Sequence, residues 1–430
     1  MLKRLELTNV GPSAHLEMGP LAERFNLIAG DNGLGKSFLL EVAWWALTRT
    51  WHETPAVPSA PAAEIGFAFD GASSLHEATA TWNPAAQTWT RRQGKPPNPG
   101  LVLYLRVDGS FSVWDPLRNY RLYTNADGSQ RETPASYQFS PTQVFRGLKR
   151  VAPGPGAEEE ELCSGLLREW TEWQGSKEPE EARAFALLTL LLQQIGPEGE
   201  ALTPGSPALS PNPNESRKVP TVRMPYGQDV PIVFAPAGVQ RMAKFAYLLT
   251  WALIWHQRES VRTRREMTDQ VIVLFDEPET HLHPRWQRTV LPSLEKAIAS
   301  WREESTPRVQ FLVATHSPLV LASMEPIFDT QRDALWKLDH VDGKVVLERD
   351  AWHRRGDASA WLTSDVFDLA EPGSLPAQQA ITEALALLQE DEPASEHIAE
   401  VTEKLAAVLG DTDRFWLRWS AFAREQGVRV

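Results

Sequence analysis

Three short stretches carry residue types whose spacing suits phosphate chemistry: GDNGLGKS at 30–37, the acid pair Asp276-Glu277, and the Thr315-His316 pair. The first fits G-x-x-x-x-G-K-S, with Gly30, Asp31, Asn32, Gly33, Leu34, Gly35, Lys36 and Ser37 in order. Glycines let a backbone wrap an anion without Cβ collisions, and the loop N–H groups and a following helix N-terminus then face it. Lys36 would reach the outer phosphates of a bound triphosphate, and the Ser37 hydroxyl would ligate Mg²⁺. Phe38 completes the stretch read as cofactor-binding. Asp276 would hold the same ion, while Glu277 would polarise an attacking water as general base. His316 would hydrogen-bond the terminal phosphate and sense its loss. Each stretch alone also fits a blander reading: a structural glycine turn, a solvated acidic turn, a structural histidine. Together they point to one triphosphate site.

Such a site needs strands that end side by side. Val271–Phe275 is a run of five apolar residues, the pattern of a strand buried on both faces in the middle of a parallel sheet. Val309–Thr315 repeats it, and Phe25–Ala29 leads into the glycine loop, which opens the helix-like FLLEVAWWAL. Ligands of open α/β sheets bind outside the carboxyl ends of the strands, where all three stretches would lie. Leu2–Thr8 and His15–Met18 read as further strands. Short alternating segments between Glu64 and Val113 (IGFAF, TATW, LVLYLRV, SFSVW) read as antiparallel strands broken by Gly, Pro and Asn. Glu158–Ile195 reads as helical, and 196–215 as a Pro/Gly/Ser-rich loop or linker. A hairpin, TVRMPYGQDVPIVF, precedes a long helix from about Gly238 to Gln257. Residues 334–349 read as a hairpin turning at Asp342-Gly343, and the tail from Asp357 as helical and acidic. Trp44, Trp45, Trp251 and Trp255 fall at helical spacing and read as core.

At 430 residues the chain can hold two or three domains, or one domain with large insertions. The single cysteine, Cys163, rules out a disulfide framework and a cysteine-based zinc site. The chain lacks both an apolar run of membrane-spanning length and a signal-peptide core, so a cytoplasmic protein without a membrane partner is expected. A net charge of −13 argues against indiscriminate coating of nucleic acid. The charge is segregated: ten Lys/Arg face four Asp/Glu in 91–150, whereas 151–200 holds eleven Glu and three Lys/Arg. The basic block could contact nucleic acid or an acidic partner, or be a solvated face.

GDNGLGKS, VIVLFDEPETHLHP and LVATHSP together resemble the ABC-type ATPases of the RecF, SMC and overcoming-lysogenization-defect group. The resemblance covers about 1–150 and 220–325. It implies an α/β ABC-ATPase head with a mainly parallel P-loop sheet, an antiparallel β subdomain and an inserted short helical subdomain. The expected division is 1–150 for the N-terminal lobe, 151–218 for the helical insertion and linker, 219–330 for the C-terminal lobe, and 331–430 for the hairpin and tail. The cofactors implied are ATP and Mg²⁺, bound in pairs across a head-to-head homodimer or higher even oligomer. In FAPAGVQRMAKF, Pro236 stands where the family's signature has serine, while Gly238, Gln240 and Arg241 are retained. Gly238 would open a helix toward the partner's γ-phosphate. Gln143, with Gln138 as the other candidate, would be the glutamine near Mg²⁺, and Glu279 falls in the loop that crosses the family's dimer interface. His281 and His283 read as packing or interface residues more readily than as metal ligands.

ETHLHPRWQRTVLP, HSPLVLASMEP and RRGDASAWLTSDVFDL are similar to stand-alone ATPases of bacterial anti-phage modules of the Septu and retron type. The tail is read as having no nuclease motif. The resemblance implies an ATP hydrolase that regulates a separately encoded HNH-type nuclease. Two alternatives stand beside it: a RecF-like DNA repair ATPase using the basic block, including Arg91, Arg92 and Arg150, and an ATP-binding scaffold that hydrolyses little.

Overall fold

Strands buried on both faces need a cover on each side, and the chain supplies one from helices and a second sheet. The computed structural model describes residues 1–52, 54–71, 74–90, 97–120, 136–151, 159–196, 199–210, 212–299, 301, 307–390 and 393–428. An eight-stranded sheet carries the order β20-β19-β3-β18-β17-β7-β8-β9. These are β3 (Phe25–Gly30), β7 (Leu101–Leu105), β8 (Phe111–Trp114), β9 (Tyr137–Phe139), β17 (Gln270–Asp276), β18 (Arg308–Ala314), β19 (Ala334–Val341) and β20 (Lys344–Asp350). Strands β19, β3, β18, β17 and β7 run parallel, and antiparallel pairings add β20 at one edge and β8 with β9 at the other.

A second, antiparallel sheet has the order β2-β1-β4-β5-β6, from β1 (Leu2–Thr8), β2 (His15–Met18), β4 (Glu64–Asp70), β5 (Leu75–Asn83) and β6 (Thr88–Trp89). Helix α1 (Lys36–Thr48) lies between the two sheets: Trp44 and Trp45 join one core with Leu274 and Leu312 from the first sheet and Leu5, Ile65 and Phe67 from the second. The other face of the large sheet is covered by α6 (Ala237–Thr263), whose Phe245 stacks on Phe275, and by α8 (Val290–Ala299) against β18. Between them lies α5 (Pro179–Ile195), preceded by α4 (Leu166–Gly175). Short pieces complete Met1–Arg354. They are α2 (Pro116–Asn119), α3 (Pro141–Arg146), α7 (Pro284–Gln287), α9 (Pro318–Met324), and the strands β10 (Leu148–Val151) to β16 (Asp229–Pro231). In the second compact unit, Arg355–Val430, the regular elements among the described residues are helices: α10 (Ala358–Leu362), α11 (Leu375–Leu387), α12 (Ser395–Val408) and α13 (Phe415–Glu425). Its core gathers Ala384, Ile398, Val401, Leu405 and Trp419.

The α/β class, the mainly parallel sheet, the antiparallel subdomain and the inserted helices are those expected. Several details differ. LVLYL is not antiparallel to its predecessors: as β7, buried along its whole length, it pairs parallel with β17 in the large sheet. The acidic start of Glu158–Ile195 is a strand, β11 (Glu159–Cys163), paired with β10. Lys149 and Arg150 there meet Glu159 and Glu160, each pair at 2.8 Å, so the basic and acidic blocks neutralise one another where they adjoin. Arg91 and Arg92 lie outside the described residues. Residues 199–210 of the expected linker are tethered: Glu200 accepts from Arg285 and Trp286, and Gln174 donates to the Gly205 carbonyl. The hairpin turn at Asp342-Gly343 has positive φ at both residues, as a type I′ turn requires.

Helix α6 is fixed at its far end by a buried polar link. His256 Nδ1 donates to Asp115 Oδ1 at 2.8 Å, and its Nε2 accepts from the Thr268 N–H at 3.0 Å. One imidazole thus joins α6, the cap of α2 and the approach to β17. Replacing His256 with Ala removes a hydrogen bond to a buried carboxylate, and roughly 1.5–3 kcal/mol of unfolding free energy should be lost in denaturant titration.

Candidate nucleotide site

The carboxyl ends of β3, β18 and β17 are adjacent and in register: Ala314 pairs with Ile28 on one side and with Asp276 on the other. The ladder continues past the strand ends, where the Glu277 N–H donates to the Ala314 carbonyl at 2.9 Å and the Thr315 N–H to that of Ile28 at 3.0 Å. The three motifs of the sequence therefore emerge together. Gly30, Gly33 and Gly35 have φ of 141°, 82° and 99°, a region open to glycine but disfavoured for other residues. At Gly30 a Cβ would also sit 2.1 Å from the Leu338 carbonyl oxygen. Asp31, Asn32 and Leu34 complete the loop, Gly35 caps α1, and Lys36, Ser37 and Phe38 form its first turn. Lys36 Nζ donates to the Gly30 and Asp31 carbonyls at 2.7 and 2.8 Å, which holds it across the mouth of the loop. Burial pushes its pKa down, opposed by the nearby charges of Glu277, Asp276 and Asp31.

Asp276 is 2% exposed, and its Oδ1 is buried without a partner. Burial raises its pKa to about 6, with the Ser37 hydroxyl opposing the shift and the Glu277 and Glu279 charges adding to it. Glu277 occupies a left-handed backbone conformation, φ 47°, of the strained kind that clusters at functional sites. Its Oε1 lies 3.4 Å from His316 Nδ1, and its Oε2 accepts from the Thr280 hydroxyl at 3.1 Å. Lys36, Ser37, Asp276, Glu277 and His316 are thus brought together.

Glu279 joins them in a way the sequence did not reveal. It is 5% exposed, and its Oε1 accepts from the Thr315 hydroxyl at 2.8 Å and the His316 N–H at 2.9 Å. The loop after β17 is thereby fastened to the loop after β18 within the chain. Arg241 is a second such link, with Nη1 on the Val107 carbonyl and Nη2 on the Glu277 carbonyl at 2.7 and 2.9 Å. No local pattern in a polar stretch marks which of its charges will be buried.

Gly238 opens a helix as expected, whereas Gln143 lies away from the ends of β3, β18 and β17. Gly238 lies in the first turn of α6 behind its N-cap, Pro236, and a Cβ there would meet the His281 carbonyl oxygen at 2.6 Å. Close packing against the loop after β17 therefore requires glycine within this one chain. Gln143 closes a capping box with Ser140 at the start of α3. It follows β9, three strands from β17 in the sheet order, roughly 14 Å sideways at ordinary strand spacing. Gln138 donates to the Trp51 carbonyl. The turn that does leave the strand beside β17 is 106–110, after β7. His283 caps α7 through Nδ1. One D-x-D does occur in the tail, Asp411-Thr412-Asp413, in the turn before α13, where Asp413 accepts from the Phe415 N–H. It sits in a helical unit with no strand among its described residues.

Among the described residues, no group of three His, Cys, Asp or Glu side chains is placed to hold a metal. Asp276 with Ser37 still fits Mg²⁺, a hard cation that takes one or two protein oxygens and fills its sphere with water and phosphate. Among the same residues no helix is long and apolar enough to cross a membrane. The raised Asp276 pKa has a consequence for stability without ligand. Between about pH 4 and 6 the unfolded chain releases this proton while the folded chain keeps it, so the group's contribution falls as pH rises and stays low above 6. In calorimetry of the ligand-free protein at pH 7, Asp276→Asn should be more stable than wild type by roughly 1–3 kcal/mol, and the gap should close near pH 4.

Residues 165–322 match the family described as "AAA domain, putative AbiEii toxin, Type IV TA system". The chain is 30% identical over 138 residues to "Retron Ec83 probable ATPase" of Escherichia coli, covering 32% of this chain and 22% of that protein. It is 29% identical over 106 residues to "Septu protein PtuA" of Bacillus mycoides (strain KBAB4), covering 24% of this chain and 13% of that one. The matches thus span less than a quarter of either relative's length. Among solved structures, "SMC head domain from Thermotoga maritima" aligns with 82% of this chain and 99% of its own, at 14% identity and a TM-score of 0.38. The chain is thus similar to an AAA-domain family over part of its length, and to proteins described as a retron probable ATPase and a Septu protein.

Proposed function

We propose that the chain is a Mg²⁺-dependent ATPase that closes head-to-head with a second copy around ATP, and that its nucleotide state regulates a separately encoded nuclease in anti-phage defence. The observation that carries the hydrolytic part is the meeting of Lys36, Asp276, Glu277 and His316 at the ends of three adjacent parallel strands. Ser37 and Asp276 would hold Mg²⁺, which would supply positive charge to offset that of the phosphates. Lys36 exchanges two backbone carbonyls for phosphate oxygens, which costs little because its ammonium is already held at the loop mouth. Glu277 accepts the proton of the attacking water as the water–phosphorus bond forms and the bond to ADP breaks, leaving ADP and phosphate. His316 donates toward the γ-phosphate from a position set by Glu279 through the His316 N–H.

Support for the dimer is the open side of this edge, where the His316 and Glu277 side chains keep 42% and 23% of their surface exposed. Pro236 in place of a signature hydroxyl removes one hydrogen bond across such an interface, about 1.5–3 kcal/mol, which favours closure that is readily reversed. Similarity to a retron ATPase and a Septu protein supports the defence role and the nuclease partner.

In steady-state ATPase assays Glu277→Gln should lower turnover about 10²–10⁴-fold while ATP still binds and the protein runs as a dimer in size-exclusion chromatography. Turnover equal to wild type in that variant would remove Glu277 as the base.

A further inference from the structure

One ring nitrogen of His316 lies between two carboxylates. Its Nδ1 is 3.4 Å from Glu277 Oε1 and 3.4 Å from Glu279 Oε1. The two acids are held differently. Only 5% of the Glu279 side chain is exposed, and its Oε1 also accepts from the Thr315 hydroxyl at 2.8 Å and from the His316 N–H at 2.9 Å. A single oxygen thus meets both the backbone and the ring of His316. Glu277 keeps 23% of its side chain exposed, and its Oε2 accepts from the Thr280 hydroxyl. A second fastener joins the same two loops through other groups: Gln287 donates to the Leu282 carbonyl and accepts from the Ser317 hydroxyl.

An ionised carboxylate only accepts hydrogen bonds, so a nitrogen facing two of them carries a hydrogen. Shared between two acceptors, that hydrogen makes two long contacts in place of one of about 2.7–3.2 Å. With Glu277 as the only acceptor, the ring would occupy the carboxylate that has to take a proton from water. We infer that Glu279 is a positioning residue that relieves this conflict: it keeps the hydrogen on Nδ1 and holds the imidazole when Glu277 turns to the attacking water. Nε2 is then the nitrogen that faces the γ-phosphate, and a ring donating to anions at both nitrogens carries a hydrogen on each. Such contacts are often long before substrate binds and tighten in the reactive complex. Loop fastening alone does not distinguish Glu279 from Gln287; contact with the ring does. This role rests on the ATPase reading proposed above, to which it adds which acid orients the ring and which acts on water.

Steady-state ATPase kinetics of single variants of the full chain, together with nitrogen NMR of the ligand-free protein, test it. Glu279→Ala should lower kcat about 10–100-fold, less than outright loss of a general base, with KM for ATP within about twofold of wild type. Glu279→Gln keeps an acceptor for the ring and puts its amide nitrogen where Oε2 now lies buried without a partner, so it should recover most of that loss. Gln287→Ala, which loosens the same two loops, should stay within about threefold of the wild-type kcat. In the spectra, the His316 ring (assigned by its loss in His316→Gln) should carry hydrogen on Nδ1 in wild type and in Glu279→Gln. Hydrogen on Nε2 alone would overturn the inference. So would Glu279→Ala turning over at the wild-type rate, or Gln287→Ala losing as much kcat as Glu279→Ala. Wild type without turnover would sink the ATPase reading, whereas the spectra decide the hold on the ring with or without hydrolysis.

Discussion

Lateral register of β3, β18 and β17 is the constraint on which the site depends. Parallel neighbours lie about 4.8 Å apart, so three motifs scattered over nearly three hundred residues of sequence end within a span of roughly 10 Å. The ladder does not stop at the last strand residues: the N–H groups of Glu277 and Thr315 extend it, and the Glu279 carboxylate then closes the gap between the two loops. A slip of one residue in any pairing would turn Asp276 to the opposite face. Val271 to Phe275 are all buried, so any slip would also have to repack both faces of the sheet.

The same packing makes the edge electrostatically uncomfortable without ligand. Asp276, Glu277 and Glu279 gather beside one partly desolvated ammonium, and the opposite shifts of Lys36 and Asp276 both follow from burial. Each shift favours the neutral form of its group. A magnesium–nucleotide, bringing a cation to the acids and phosphates to the lysine, would relieve both. The left-handed backbone of Glu277 is a further local cost that the surrounding hydrogen bonds hold in place.

The parts legible in the sequence were those encoded locally. The glycine loop, the two apolar runs and the Asp342-Gly343 turn carry their geometry in residue type and spacing, and the structure places each where that pattern leads. Pairing partners were not legible: LVLYL has the same composition in an antiparallel edge as in a parallel centre, and only tertiary packing put β7 beside β17. That choice also moved the turn nearest Asp276 to 106–110, away from Gln143, whose side chain is used in a helix cap. Gly238 shows a different limit. Its close approach to the His281 carbonyl is a contact over more than forty residues that no local spacing announces.

The most direct measurement is a crystal structure of the Glu277→Gln variant with ATP and Mg²⁺. The expected result has Lys36 shifted from the Gly30 and Asp31 carbonyls onto the phosphates, the ion against Ser37 and Asp276, and His316 facing the γ-phosphate. ATP bound elsewhere, with Lys36 still on those two carbonyls, would contradict the account.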